Sequence, residues 1–338
     1  MNKQLLSIAL AAGFGLAAGA AQADTLADVK AKGFVQCGVT GGVTGFSAPD
    51  ANNQWSGLEV DFCRAVASAI FNDPGKVRYT PLTSQERFTA LSAGEIDILS
   101  RTTTWTMSRD TQLGIKFIGT MYYDGQGFLV RKADGIAAAT ELSGAAICIE
   151  SGTTTELNAA DYFAANNMEF NTVVFVDQDE VVKAYEDGRC DVYTTDASAL
   201  AAERSKFANP DDHVILPEII SKEPLGPVVR QGDDVWFNIN RWAYFALLQA
   251  EELGVTQANV DEMLGSDNPE IKRLLGVEGD FGTPLGLTKD WAYQIIKNIG
   301  NYGESFNRNV GPETPIGLAR GLNALWKDGG IQYAPPIR

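Results

Sequence analysis

The 338-residue sequence contains a single histidine, His213, set in a polar "NPDDHV" stretch. That scarcity removes the commonest general base and metal ligand from the available chemistry. No serine or cysteine stands in a motif with a base partner, so nucleophilic catalysis has nothing to rest on. Basic residues are also short: 27 Lys and Arg against 43 Asp and Glu give a net charge of −16. So acidic a chain, with no basic stripe, repels nucleic acid and anionic lipid. Beyond the N-terminus, no apolar run is long enough to cross a bilayer.

The N-terminus has its own pattern. Lys3 is followed by an apolar run from Leu5 to about Ala18, then by "AGAAQAD" with Ala21 and Ala23 in small-x-small spacing. This is the layout of a secretory signal peptide over residues 1–23, cleaved after Ala23. The run is too short and too rich in Gly and Ala for a membrane anchor. An exported chain permits disulfides, and Cys37, Cys63, Cys148 and Cys190 allow three pairings. Two cysteines early and two in the middle favour Cys37–Cys63 with Cys148–Cys190, one bridge in each half. Four buried thiols are the alternative. The spacing does not suit zinc, and neither metal nor cofactor is expected.

The remaining chain is long enough for two domains. A strand over 34–40, a helix over 57–71, a strand over 76–82, a helix from 84 stopped at Gly94, and a strand over 96–100 read β-α-β-α-β. The pattern restarts with strands at 127–132 and 145–152, a helix over 153–166, a strand over 172–177, a helix over 178–190, a strand over 190–196 and a helix over 197–207. Two such halves predict two α/β lobes with parallel sheets. A Pro/Gly break at 223–234 leads through a strand entry into a long helix ending near Gly254. The rest reads as a packed extension.

In open α/β sheets, ligands bind beyond the carboxyl ends of the strands. Three hydroxyl-rich clusters stand there: "SRTTTWTMSRD" (100–110), "ESGTTTE" (150–156) and "TTD" (194–196). The Arg109 guanidinium matches a carboxylate with two parallel hydrogen bonds, and Thr102 and Thr104 add hydroxyls. Thr154 and Thr155 open a helix whose N–H groups attract the same anion. Asp196 accepts from an ammonium. The plainer readings are a surface pair of Arg109 with Asp110 or Glu86, an ordinary helix cap at 153, and a second cap at Asp196. Taken together, the three clusters suit a zwitterion.

These residues also carry a resemblance. "WSGLEVDFCRAVA", "LSAGEIDILSRTTTWTMSRD", "SGTTTE" and "GRCDVYTTD" resemble, in order over residues 34–245, the signatures of family 3 (type II) periplasmic solute-binding proteins of ATP-binding cassette importers for amino acids. The "SRTTTWTMSRD" wording and the long C-terminal extension are most similar to broad-range general L-amino acid-binding proteins. The resemblance implies the two-lobed type II periplasmic binding fold, with crossing strands near 123–127 and 221–228 and the ligand in the cleft. It divides the chain into lobe 1 (24–123 and 224–338) and lobe 2 (124–223). It puts the carboxylate contacts on Arg109, Thr102, Thr104, Thr154 and Thr155, and the ammonium contact on Asp196. Where the family often has aromatic rings, this chain has Val43 and Ser84, which implies a roomier pocket. Arg101 is unusual at its position; it meets either a polar or acidic ligand side chain or Glu150. The implied role is capture of L-amino acids, with Glu, Gln and Asp favoured, by a periplasmic monomer that is not an enzyme and delivers to a permease. A dehydratase on the same fold and a ligand sensor are the alternatives.

Overall fold

The computed structural model describes residues 24–338, so the signal segment expected over 1–23 lies outside the described residues. Two five-stranded sheets form the scaffold. The first runs in the order Val77–Pro81, Val35–Val39, Ile98–Leu99, Val228–Arg230, Ile115–Phe117. The second runs Asn171–Phe175, Ala146–Glu150, Val192–Asp196, Gln126–Arg131, His213–Ile215. In each, the first three strands are parallel and the fourth is antiparallel to both of its neighbours.

The expectation of parallel sheets is therefore corrected to mixed sheets. Gln126–Arg131 and Val228–Arg230 each enter directly from a strand that connects the two sheets, without a helical crossover. A strand arriving that way runs against its neighbours. Two local expectations also shift. The helix before Gly94 is only Arg87–Ser92. The strand entry expected at 235 is helical instead: after strand Val228–Arg230, helix Asp234–Glu252 starts at once, because Asp233 caps it by accepting from Trp236 N at 2.9 Å.

Alternation along the strands fills both faces of the second sheet. Phe128 and Val130 join one apolar cluster with Ile147, Ile149 and Phe163, while Leu129 joins the opposite one with Cys148, Tyr185 and Tyr193. Helices Leu58–Phe71, Asp234–Glu252 and Trp291–Ile299 pack on the first sheet in one larger core. Disulfides join Cys37 to Cys63 and Cys148 to Cys190, one bridge in each half.

The connecting strands Tyr122–Asp124 and Glu223–Leu225 pair with each other, antiparallel, with Asp124 opposite Glu223. They pass so close to the chain before them that a Cβ on Gly226 would lie 1.9 Å from the Gly119 carbonyl oxygen. The other edge of Tyr122–Asp124 is covered by the C-terminal extension. The Asn323 side chain accepts from Tyr123 N at 2.7 Å and donates to Tyr123 O at 3.1 Å. Gln332 Nε2 donates to the Thr120 and Met121 carbonyls, each at 3.2 Å. The extension thus takes the place of a missing strand. Asn323→Leu removes both bonds from a buried site and is expected to destabilise the protein by about 2 kcal/mol, read from the urea midpoint at unchanged slope.

Candidate functional site

The site begins with a backbone constraint. Gly57 has φ +131°, and a Cβ there would sit 2.0 Å from the Phe46 carbonyl oxygen. Only glycine allows helix Leu58–Phe71 to start so close to the 43–47 turn. That start buries Glu59, which accepts from Ser47 Oγ at 2.8 Å and from the Thr102 backbone N–H. Burial still pushes the Glu59 carboxyl up, against the lowering effect of these two donors. Thr102 is held at φ +23°, a region that β-branched residues avoid. A bent loop results, and it lies along the second connecting strand: Trp105 N donates to Pro224 O at 2.8 Å and Gly226 N to Thr103 O at 3.0 Å.

From the other sheet, strand Ala146–Glu150 ends in Glu150 and helix Thr154–Ala165 follows, with Thr153 as its cap accepting from Glu156 N. Strand Val192–Asp196 ends in Asp196, whose side chain makes no capping bond to the helix behind it. The capping alternative for Asp196 is therefore absent, and its carboxylate remains available.

A cleft lies between these parts, with about 390 Å³ of open space counted out to the solvent at its mouth. Val43, Ser84, Arg101, Thr102, Thr104, Glu150, Thr154, Thr155 and Asp196 all line it. Arg109 does not. Its guanidinium donates to the Thr104 carbonyl at 2.9 Å and lies 5.2 Å from the Phe88 ring. It pairs with neither Asp110 nor Glu86; Glu86 instead accepts from Thr83 N and Oγ1. Arg101 meets Glu150 across the cleft at 3.5 Å and donates to Leu82 O at 2.8 Å. A second, solvent-open cavity, walled by Thr40–Gly42, Glu86 and Asp177–Asp179, touches the first along Arg101, Glu150 and Gln178.

The residue that sequence reading passed over is Arg87. It lines the inner cavity and is 2% exposed, and its Nε has no hydrogen-bond partner. Nη2 makes one long contact, 3.4 Å to Gly152 O, and among the described residues no carboxylate lies within ion-pair distance. Burial, reinforced by Arg101 and Arg109, pushes the Arg87 pKa well down, with Glu150 and Asp196 opposing. A signal was present: in the helix expected from residue 84, Arg87 would stand one turn after Ser84.

The opposite charge gathers at the connecting strands. Burial pushes the Asp196 carboxyl well up, helped by Asp124 and Glu223, while Arg87 and Arg109 pull it down. Asp124 is pushed up to about 6 by burial, despite bonds from Ser198 and Gly125 N. The cleft thus carries an acidic end beside the connecting strands and a guanidinium wall facing it. That arrangement suits a small molecule bearing both signs. Among the described residues no cluster of His, Cys, Asp and Glu is arranged to hold a metal.

Comparison with known proteins agrees with this geometry. Residues 35–253 match the family model for bacterial extracellular solute-binding proteins, family 3. The general L-amino acid-binding periplasmic protein AapJ of Rhizobium johnstonii is 64% identical over 341 residues, covering 100% of both chains. The glutamate/glutamine/aspartate/asparagine-binding protein BztA of Rhodobacter capsulatus is 56% identical over 333 residues, covering 98% of both. A solved periplasmic binding protein of an ABC transporter from Brucella ovis, with glutathione bound, is 62% identical with a TM-score of 0.92, covering 94% of this chain and 100% of its own. All three are binding proteins rather than enzymes. With the type II periplasmic binding architecture and a family match over most of its length, the chain belongs to the bacterial extracellular solute-binding proteins of family 3.

Proposed function

We propose that this protein captures L-amino acids in the cleft, favours polar and acidic ones such as Glu, Gln and Asp, and hands them to an inner-membrane ATP-binding cassette permease. The observation that carries the preference is Arg87: a buried guanidinium without an anion, facing the same cavity as Asp196. An unpaired buried charge is unfavourable, so an incoming carboxylate relieves it. In this reading Asp196 takes the α-ammonium. Arg109 and the N–H groups opening helix Thr154–Ala165 take the α-carboxylate, once Arg109 swings from the Thr104 carbonyl. Arg87 and Arg101 meet the ligand side chain, with Ser84 and Val43 leaving it room.

The relatives' names support this range: AapJ is named for general L-amino acids and BztA for Glu, Gln, Asp and Asn. The outer cavity beyond Arg101 gives room to longer ligands, in keeping with the glutathione bound to the Brucella neighbour. The lobes are taken as 24–123 with 224–338, and 124–223, in a periplasmic monomer matured by cleavage after Ala23.

Arg87→Met separates the side-chain role from the rest. L-Glutamate affinity is expected to fall on the order of 100-fold, while L-alanine changes little, in isothermal titration of protein stripped by unfolding and refolding. The same change should leave the ligand-free protein equally or more stable, because it removes an unpaired buried charge. Equal losses for both ligands would move Arg87 to the α-carboxylate.

A pH dependence follows from Asp196. It must be ionised to hold an ammonium, yet burial holds its pKa high in the free protein. The arriving ammonium lowers that pKa, so binding releases a proton wherever free Asp196 is protonated. L-Glutamate affinity should fall as pH drops and free Asp196 takes up its proton. Titration in buffers of different ionisation heat reads the released proton. A flat affinity with no buffer-dependent heat would exclude Asp196 as the ammonium partner.

A further inference from the structure

Glu223 is 1% exposed and stands on the second connecting strand, yet its carboxylate gathers donors from both sides of the cleft. Oε2 accepts from Thr104 Oγ1 at 2.6 Å and from Thr154 Oγ1 at 2.9 Å. Oε1 accepts from Asn158 Nδ2 and from Ser221 Oγ, each at 2.6 Å. Four donors meet the four lone-pair directions that two carboxylate oxygens offer.

We propose that Glu223 is a positioning residue that sets the hydrogen-bond polarity of the site: by taking the protons of Thr104 and Thr154, it turns both hydroxyl oxygens into acceptors for a ligand ammonium. A hydroxyl has one proton and two lone pairs. With the proton committed to a carboxylate, in a bond stronger than a neutral one, only the lone pairs can face the ligand. Thr104 and Thr154 then cannot donate to a ligand anion, and this reassigns the two hydroxyls that the sequence pattern gives to the carboxylate. They stand 3.3 Å apart across the cleft and line the cavity that Asp196 also lines. Two oxygens and one carboxylate match the three protons of an ammonium.

The device also depends on closure. Thr104 comes from the loop paired with the connecting strand, and Thr154 from the helix that follows Glu150. Both hydroxyls meet one Glu223 oxygen only when the two sides are together. The acceptor set is therefore assembled in the closed form and dispersed in an open one, which gives the ammonium a differential affinity for closure.

The inference rests on the amino-acid reading above, and its test compares L-glutamate with glutarate, the same molecule without the α-amino group. Thr104→Val removes the hydroxyl at constant shape. It is expected to weaken L-glutamate by about tenfold or more and to leave glutarate within about twofold, while Thr104→Ser restores L-glutamate. Glu223→Gln, whose amide donates as well as accepts, should also weaken L-glutamate. The double variant Thr104→Val with Glu223→Gln should lose less than the product of the single losses, because Glu223 acts through the hydroxyl. Parallel loss of both ligands, no loss of either, or independent single effects would overturn the proposal. Failure of the unsubstituted protein to bind L-glutamate would instead sink the functional reading and this proposal with it.

Discussion

Two short strands carry the chain between the sheets; on them half-buried Asp124 and buried Glu223 face each other in register, and both push up the carboxyl of buried Asp196 beside them. Like charges buried together repel strongly unless donors compensate. Glu223 has four donors and Asp124 has Ser198 and Gly125 N. Asp196 caps nothing. Its unfavourable burial is the part of the electrostatics that the fold leaves open. On the facing wall the same holds for Arg87, which lacks the carboxylate that Arg101 finds in Glu150. A zwitterion relieves both ends at once, which neither a simple anion nor a simple cation can do.

This also explains how binding can drive closure. A ligand shifts a conformational equilibrium only by its difference in affinity between the two states. Contacts made across the cleft by protein alone are mostly long or exposed: Gln85 to Ser151, Lys206 to the Gly42 carbonyl, Arg87 to the Gly152 carbonyl at 3.4 Å, Thr104 to Thr154 at 3.3 Å, and the Arg101–Glu150 pair at 3.5 Å. Partly exposed bonds of this kind contribute little each. On the proposed assignment, a ligand held by Asp196 from one side and by arginines from the other adds contacts that exist only when both sides meet. The C-terminal extension, bonded to Tyr123, Thr120 and Met121, stiffens one connecting strand while leaving the cleft face clear.

Local order was largely legible in the sequence. Hydroxyl clusters at strand ends, the Gly94 stop and the restart of the αβ pattern are local signals, and the residues read from them line one cavity, Arg109 excepted. What was not legible depends on chain crossing. The antiparallel strands Gln126–Arg131 and Val228–Arg230 are short apolar runs whose direction is set by how the chain enters the sheet. Arg87 sits in an unremarkable "SQERF", and its burial without a partner depends on Gly152 and Glu150 arriving from the other half. Glu223 reads as one more acid in a Pro/Gly break. Its meaning comes from Thr104, Thr154 and Asn158, from 119 to 65 positions away. Thr104 and Thr154 were read as site residues and line the cavity, but a hydroxyl's polarity is decided by its second partner, which no local pattern names.

The two ends of the cleft differ in how much they can adjust, and this is a physical basis for breadth. The acceptors beside the connecting strands are tied to a buried carboxylate with every lone pair occupied, so that end is rigid. The other end is bounded by Arg101 and Glu150, joined by a single contact of 3.5 Å, with Val43 and Ser84 supplying small side chains and a second cavity behind. A ligand carboxylate can take Arg101 from Glu150, and an amide can bond both, without disturbing the ammonium end. On the proposed assignment, fixed recognition of the common amino-acid head, with a loosely held ion pair at the variable tail, favours a family of ligands over one.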